Sequence, residues 1–370
     1  MTKDLAFLPA WYAGEGDFVF VGEETLSPFL SRLPETIRPT ALPLSRYELK
    51  EKAAVLPRME AAPWGMSRPA IYLFNELKRT YGLSMDIPIW KDEYTELTHR
   101  RTAAGCLAGL QRLLPDMTFP PVPVFFSEVE AIEAYLHRHP GSFVLKAPYS
   151  SSGRGLLWLE ENRLRDTDRK RIKGILRTQG TISLEHILDK EVDFAFEFYS
   201  DGKGNVRYEG VSVFNTGTRG AYRGNKLQAQ SALWGKLRTY TGEQTLQRIR
   251  QALTRVIAET LGTRYAGYIG VDMLVYREKE SFAIHPCIEI NLRYTMGMAA
   301  IRIFENCFDE SAEGIFQILY EKNDGHAYGQ HLLMENRYPP VLKNGKWQKG
   351  YLSLCPVTPD THYTACILAT

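Results

Sequence analysis

The chain has 370 residues, of which 44% are apolar, enough for a large buried core spread over two or three domains or over one multi-lobed enzyme. Its 45 Lys and Arg against 43 Asp and Glu leave a formal charge of +2, so no global basic field draws it to nucleic acid or to an anionic membrane. No apolar run approaches the roughly 20 residues that span a bilayer, and MTKDLAFLPAW lacks the apolar core of a secretory signal, so the expectation is a soluble, cytoplasmic protein. The 5 cysteines (Cys106, Cys287, Cys307, Cys355 and Cys366) are odd in number, scattered and free of Cys-x-x-Cys, which argues against a disulfide framework and a zinc ribbon.

Residues 1–90 read as a small α/β unit, with "DFVFVG" as a short buried strand and a helical pattern over 68–81 that ends at Gly82. The glycines of "GEGDFVFVG" precede the strand, whereas a dinucleotide loop follows one and opens a helix, so that reading fails. Next, "DEYTELTHRRTAAGCLAGLQRLL" predicts one helix halted by Pro115, and "FPPVPVFF" an extended segment. Ser127 with Glu130 predicts a capping box that opens a helix, and "HPG" ends it. "SFVLKAPYSSSGRGLLWLE" then reads as strand, small-residue loop, strand. Over 181–215 come "TISLEHIL", "VDFAFEFYS" and "NVRYEGVSVFN", the last two joined by the turn "DGKGN". A long helix follows, with Leu246, Ile249, Leu253, Val256, Ile257 and Leu261 on one stripe and Gly262 as its stop. After it the pattern gives "YIGVDMLVY", "FAIHPCIEINLR", a helix near 309–321, and a hairpin in "KGYLSLCPVTPDTHYTACILAT".

Two stretches carry chemistry. In "VLKAPYSSSGRG", Lys146 ends an apolar strand and meets Ser151, Ser152, Gly153 and Gly155, small residues whose backbone amides can turn toward an anion without obstruction. The loop lacks the Walker spacing, and on its own it reads equally as a phosphate cradle or as a flexible hairpin beside an exposed lysine. In "GVDMLVY" and "IEINLR", strand alternation puts Asp272 on one face, and Glu289, Asn291 and Arg293 on one face of what reads as the adjoining antiparallel strand. One Asp, one Glu and one Asn are hard oxygen donors of the kind Mg²⁺ takes beside nucleotide phosphates. A solvated sheet face, with Arg293 as the ion-pair partner of Glu289, is the competing reading.

The order of these pieces over roughly residues 91–310 resembles the ATP-grasp superfamily: basic helix, proline-bounded segment, Lys-ending strand, small-residue loop, "SLEHIL", long helix, Asp strand and Glu-x-Asn-x-Arg strand. The resemblance implies an α+β and α/β architecture with an ATP-grasp fold, two α+β subdomains clasping ATP. It assigns residues 1–90 to a pre-ATP-grasp α/β domain with a Pro63-Trp64-Gly65 motif, and 91–320 to the grasp, about 91–180 forming the first subdomain and 181–320 the nucleotide- and metal-binding one. Residues 321–370 are then a C-terminal extension.

By the same resemblance, Lys146 contacts the α-phosphate and the adenine edge, and Ser151, Ser152, Gly153 and Gly155 close over the outer phosphates. Glu185, His186 and Leu188 lie in the hinge whose backbone reads adenine. Asp193 takes the ribose, with Glu191 as the competing choice. Asp272, Glu289 and Asn291 hold Mg²⁺, and Arg293 stabilises developing charge. The family's usual lysine before the proline segment is replaced by His99-Arg100-Arg101, so an arginine is expected to reach the phosphates, Arg101 being favoured over Arg100. The basic, glycine-rich "NTGTRGAYRGNKLQ" matches a loop that covers ATP, or is a solvated surface loop. The function implied is an ATP- and Mg-dependent ligase joining a small-molecule carboxylate to an amine through an acyl-phosphate, with a homodimer compatible with the family. The alternatives are an ATP-grasp kinase and a non-catalytic nucleotide-binding protein.

Overall fold

A computed structural model describes residues 1–22, 26–150, 153–159, 161–217 and 220–370. Near the N-terminus, β1 (Phe18–Gly22) pairs in parallel with β2 (Leu42–Ser45), and β3 (Met59–Glu60) with β4 (Met85–Asp86). Helices α1 (Ser27–Leu30), α2 (Arg46–Lys52) and α3 (Arg68–Tyr81) lie between these strands. The last of them stops where expected, because Gly82 takes a left-handed conformation (φ +67°) that a residue with a Cβ adopts only at a cost.

The stretch expected as one helix before Pro115 is two, α4 (Glu93–Leu97) and α5 (Arg100–Leu113). The break falls at His99, which is extended (φ −66°, ψ 141°) and whose Nδ1 accepts the Arg101 amide, capping α5 with its own ring. The next helix, α6 (Val129–Arg138), starts later than the Ser127 signature implies, with Glu128 as a cap that makes no side-chain bond.

A four-stranded sheet, ordered β5-β8-β6-β7, follows: β5 (Val124–Phe126), β6 (Phe143–Lys146), β7 (Leu156–Leu159) and β8 (Ile182–His186), all antiparallel. Helices α6 and α7 (Asp166–Gln179) cover it, closing a core around Ile132, Leu136, Phe143, Leu145 and Ile172.

The nine-stranded sheet runs β13-β12-β9-β10-β11-β14-β17-β16-β15. Its first strands are β9 (Asp189–Asp201), β10 (Val206–Thr216), β11 (Tyr222–Leu227), β12 (Ala266–Glu278) and β13 (Ser281–Asn291). It continues through β14 (Gly314–Tyr320), β15 (Val341–Lys343), β16 (Lys346–Ser353) and β17 (Tyr363–Ala369). Alternate residues of β9 and β12, namely Phe194, Phe196, Phe198, Ile269, Val271, Met273 and Val275, bury against α5 and α9 (Glu243–Leu261), with α8 (Gln230–Thr241) beside them. Each such side chain contributes about 1.5–3 kcal/mol on burial. The intervening positions, Asp193, Ala195, Glu197, Gly270, Asp272 and Leu274, face the other way.

The helix expected over 309–321 is absent. Residues 314–320 form β14, held by β11 on one side and β17 on the other, and the flanking helices are α10 (Met296–Cys307) and α11 (His326–Arg337). The expected C-terminal hairpin is the β16–β17 pair, built into the large sheet through β14. Trp11 donates from Nε1 to the Leu354 carbonyl at 2.6 Å, so the chain's first residues and its last strands share one core with α10.

Candidate active site

Backbone register sets one wall of the site. On the face turned away from α5 and α9, Ala195, Asp272 and Glu289 lie in one row across β9, β12 and β13, and Glu197, Gly270 and Asn291 in the next. Directly opposed side chains of neighbouring strands lie about 5 Å apart, so Asp272 and Glu289 present two carboxylates side by side. Burial and the Glu289 charge push the Asp272 carboxyl well above the usual range. The Asn291 amide counters part of that rise, and its Oδ1 accepts from Arg293 Nη2 at 3.1 Å, linking this wall to the guanidinium. Two carboxylates and an amide oxygen, crowded and under-neutralised, suit a hard divalent cation that keeps part of its shell for water and phosphate. Among the described residues no three His, Cys, Asp or Glu side chains gather as a self-sufficient metal cage.

The opposite wall comes from the four-stranded sheet. Lys146 pairs with Ser183 across β6 and β8, and Val144 with Glu185, which puts Lys146 and Glu185 in diagonal contact on one face. Lys146 Nζ donates to Glu185 Oε2 at 2.5 Å, with both side chains nearly buried. Glu185 therefore holds the lysine with its side chain. His186 is exposed against Phe143, and Leu188 is half-buried where the chain passes from β8 to β9.

Beyond Lys146 the loop doubles back tightly, the Ala147 amide donating to the Gly155 carbonyl at 2.9 Å. A Cβ on Gly155 would lie 2.2 Å from Ser150 Cβ, and Gly153 sits at φ +73°, so both glycines are demanded by the turn itself. The expected phosphate residues Ser151 and Ser152 lie outside the described residues. A Cβ on Gly220, in the basic glycine-rich segment, would lie 4.0 Å from Gly153 Cα, so that segment reaches the same loop.

The arginine that enters the site is Arg100, not the expected Arg101. Arg100 is buried; its Nε donates to the Ala147 carbonyl at 3.0 Å, and Nη2 reaches Ser150 Oγ at 3.3 Å and Glu289 Oε2 at 3.2 Å. Arg101 is exposed, its guanidinium 5.2 Å above the Phe125 ring. The physical reason is the helix break at His99: it starts α5 one residue before Arg101 and turns Arg100 inward around the edge strand β13.

Of the two acidic residues considered for the ribose, Asp193 faces the cleft side and accepts from Lys190 Nζ and Thr216 Oγ1, each at 2.6 Å. Glu191 is turned toward Arg277, 3.4 Å away. Arg293 is fixed from behind by the Pro63-Trp64-Gly65 segment: Gly65 bridges Arg293 in antiparallel fashion, and Tyr294 N donates to the Trp64 carbonyl at 2.7 Å. A Cβ on Gly65 would meet Arg293 Cβ at 3.0 Å, so a larger residue there would have to push Arg293 aside by a few tenths of an ångström.

Two buried polar residues escaped the sequence reading. Glu197 is 2% exposed; Ser212 Oγ donates to its Oε1 at 3.1 Å and Thr295 Oγ1 to its Oε2 at 2.8 Å. A Cβ on Gly297 would lie 2.1 Å from Glu197 Oε1, so the packing around the carboxyl requires glycine there. Burial, only partly offset by the Thr295 and Ser212 hydroxyls and then by Arg293, raises its pKa to about 7. His285 is 4% exposed, and burial together with the Lys146 charge lowers its pKa to about 3, leaving a neutral imidazole. In "FAFEF" and "AIHPC" both read as ordinary strand positions; the one signal was a polar residue amid apolar ones.

No family model and no curated protein sequence matches the chain. Solved structures do. N5-carboxyaminoimidazole synthetase from Staphylococcus aureus, complexed with ADP, matches at a TM-score of 0.52 and 10% identity, over 100% of this chain and 91% of that one. Biotin carboxylase from Campylobacter jejuni, as a β-γ-ATP complex, matches at 0.54 and 13%, over 99% and 84%. An ADP complex of N5-carboxyaminoimidazole ribonucleotide synthetase matches at 0.52 and 11%, over 99% and 90%. At such identities the likeness speaks to architecture, and that architecture is the one the order of motifs implied: the chain has the ATP-grasp fold.

Proposed function

We propose that the protein is an ATP- and Mg-dependent ligase that joins a small-molecule carboxylate to an amine. The observation that carries this reading is the opposition of two walls: Asp272, Glu289 and Asn291 with Arg293 on the large sheet, and the Lys146–Glu185 pair with the tight glycine loop on the small one. Arg100 ties them together through Ala147, Ser150 and Glu289. The complexes of similar fold with ADP or β-γ-ATP support a nucleotide in such a cleft.

Lys146 and the loop amides would hold the phosphates, the chain between Glu185 and Leu188 the adenine, and Asp193 the ribose. Asp272, Glu289 and Asn291 would hold Mg²⁺, which supplies neutralisation of phosphate charge when bound. Arg100 would do the work expected of Arg101, keeping Glu289 oriented and adding a fixed cation where an anionic acceptor meets ATP. The substrate carboxylate oxygen attacks the γ-phosphorus and ADP leaves; the amine then attacks the acyl carbon, phosphate leaves with the C–O bond electrons, and the amine proton is released. Arg293 faces the charge that develops on the acyl oxygens.

The test is a screen of carboxylate and amine metabolite pairs for stimulated ADP release, with mass detection of the product. A condensed product with ADP and phosphate in equal amounts, abolished by Glu289→Gln, is expected. A stable phosphorylated product without phosphate release would instead make the protein a kinase.

A further inference from the structure

His285 stands in the cleft wall beside the groups assigned to the nucleotide, yet none of the roles above uses it. The register puts it directly across from Leu274, and Leu274 across from Asp193, so the three share a row on the cleft-facing side of β13, β12 and β9. That row lies two residues along β12 from Asp272, about 7 Å from the metal-type pair and level with the residue assigned to the ribose. Pro286 lacks an amide hydrogen, and β13 bulges there, with Asp272 opposite Glu289 but Leu274 opposite His285. The bulge sets the imidazole at this level.

The ring's proton is placed by its contacts. His285 Nδ1 accepts the Cys287 amide at 3.4 Å, which leaves the hydrogen of the neutral ring on Nε2. The residue is 4% exposed, and among the described residues Nε2 has no hydrogen-bond partner. Nε2 is not among the described side-chain atoms that are fully sealed off without a partner, so the little exposure the ring keeps leaves its donor within reach of a ligand that brings an acceptor into the cleft. Lys146 stands close enough for its charge to act on the ring, so the donor belongs to the same pocket as the Lys146–Glu185 pair.

We propose that His285 is a nucleotide-binding residue whose Nε2–H donates a hydrogen bond to the nucleoside part of the bound nucleotide. This rests on the reading of the cleft as a nucleotide site. It adds a contact that distinguishes nucleoside recognition from phosphate recognition, because a nucleoside contact is kept by AMP as well as by ADP.

The experiment is calorimetric titration of Mg-ADP and of AMP into the full chain, wild type, His285→Phe and His285→Gln, with thermal unfolding confirming that each is folded. Phenylalanine keeps a ring and removes the donor; the Gln side-chain amide offers a donor near the Nε2 position. His285→Phe is expected to weaken Mg-ADP and AMP by the same factor, about 10-fold, and His285→Gln to recover most of the loss. His285→Phe binding both ligands within about 2-fold of wild type overturns the proposal alone. A loss confined to Mg-ADP, or a glutamine variant as weak as the phenylalanine one, also overturns it. Wild-type protein that binds no Mg-ADP overturns the nucleotide reading itself, and this inference with it.

Discussion

Replacing Asp272 by Asn separates a site built for a cation from a sheet face that is merely polar. Asp272 and Glu289 are direct cross-strand partners, and their mutual repulsion adds to burial in raising the Asp272 pKa. Two unit charges about 5 Å apart at an effective dielectric of about 20 repel by about 3 kcal/mol. Arg100, 3.2 Å from Glu289, offsets part of this, leaving a gain of about 1–2 kcal/mol for the metal-free Asp272→Asn protein. The sign follows from linkage: a carboxyl with a raised folded pKa is penalised as pH climbs above its unfolded value. The gain is therefore absent below about pH 4 and largest at alkaline pH. Denaturant unfolding at pH 8 in EDTA, then with Mg-ADP, measures both sides. Wild type saturated at 100 times its dissociation constant gains about 2.7 kcal/mol, and the variant should gain at least about 1.4 kcal/mol less, one tenfold step in affinity. A metal-free variant less stable than wild type, or one that keeps the full Mg-ADP gain, would refute the assignment of Asp272.

Other substitutions probe the remaining parts. Between pH 4.5 and about 7 the folded protein holds a proton on Glu197 that the unfolded chain releases, so stability should fall by about 3 kcal/mol across that window. Glu197→Gln should flatten this slope in urea unfolding at pH 5 and pH 8; parallel curves for the two proteins would contradict it. Arg100→Gln should weaken Mg-ATP turnover by at least about 10-fold, since it removes the buried cation that orients Glu289, whereas Arg101→Gln should change it by less than about 3-fold. Equal effects from the two, in a coupled ADP-release assay, would mean that the inward placement of Arg100 does not govern function.

The shared face of Asp272, Glu289 and Asn291 was legible because strand alternation is local: "GVDML" and "IEINLR" announce which side chains share a face before any partner is known. Their pairing needed only the antiparallel neighbour, which the fold supplied as β12 and β13. Arg100 was not legible, since choosing between adjacent arginines requires the helix phase, and that phase is set by the His99 ring capping α5. The strand at 314–320 was hidden for a different reason. Its conformation depends on β17, whose register joins Gly314 to Ala369, a pairing no local window contains. Glu197 and His285 reveal themselves only through burial, a property of the assembled sheet and α10 rather than of the residues' own neighbours.

The central claim, condensation through an acyl-phosphate, is tested most directly by following oxygen. With a carboxylate substrate labelled with ¹⁸O and its amine partner, one labelled oxygen per turnover should appear in the released phosphate, alongside ADP and the condensed product. Phosphate released without label, while the product still forms, would contradict the account, because the carboxylate would then never have been joined to the γ-phosphorus.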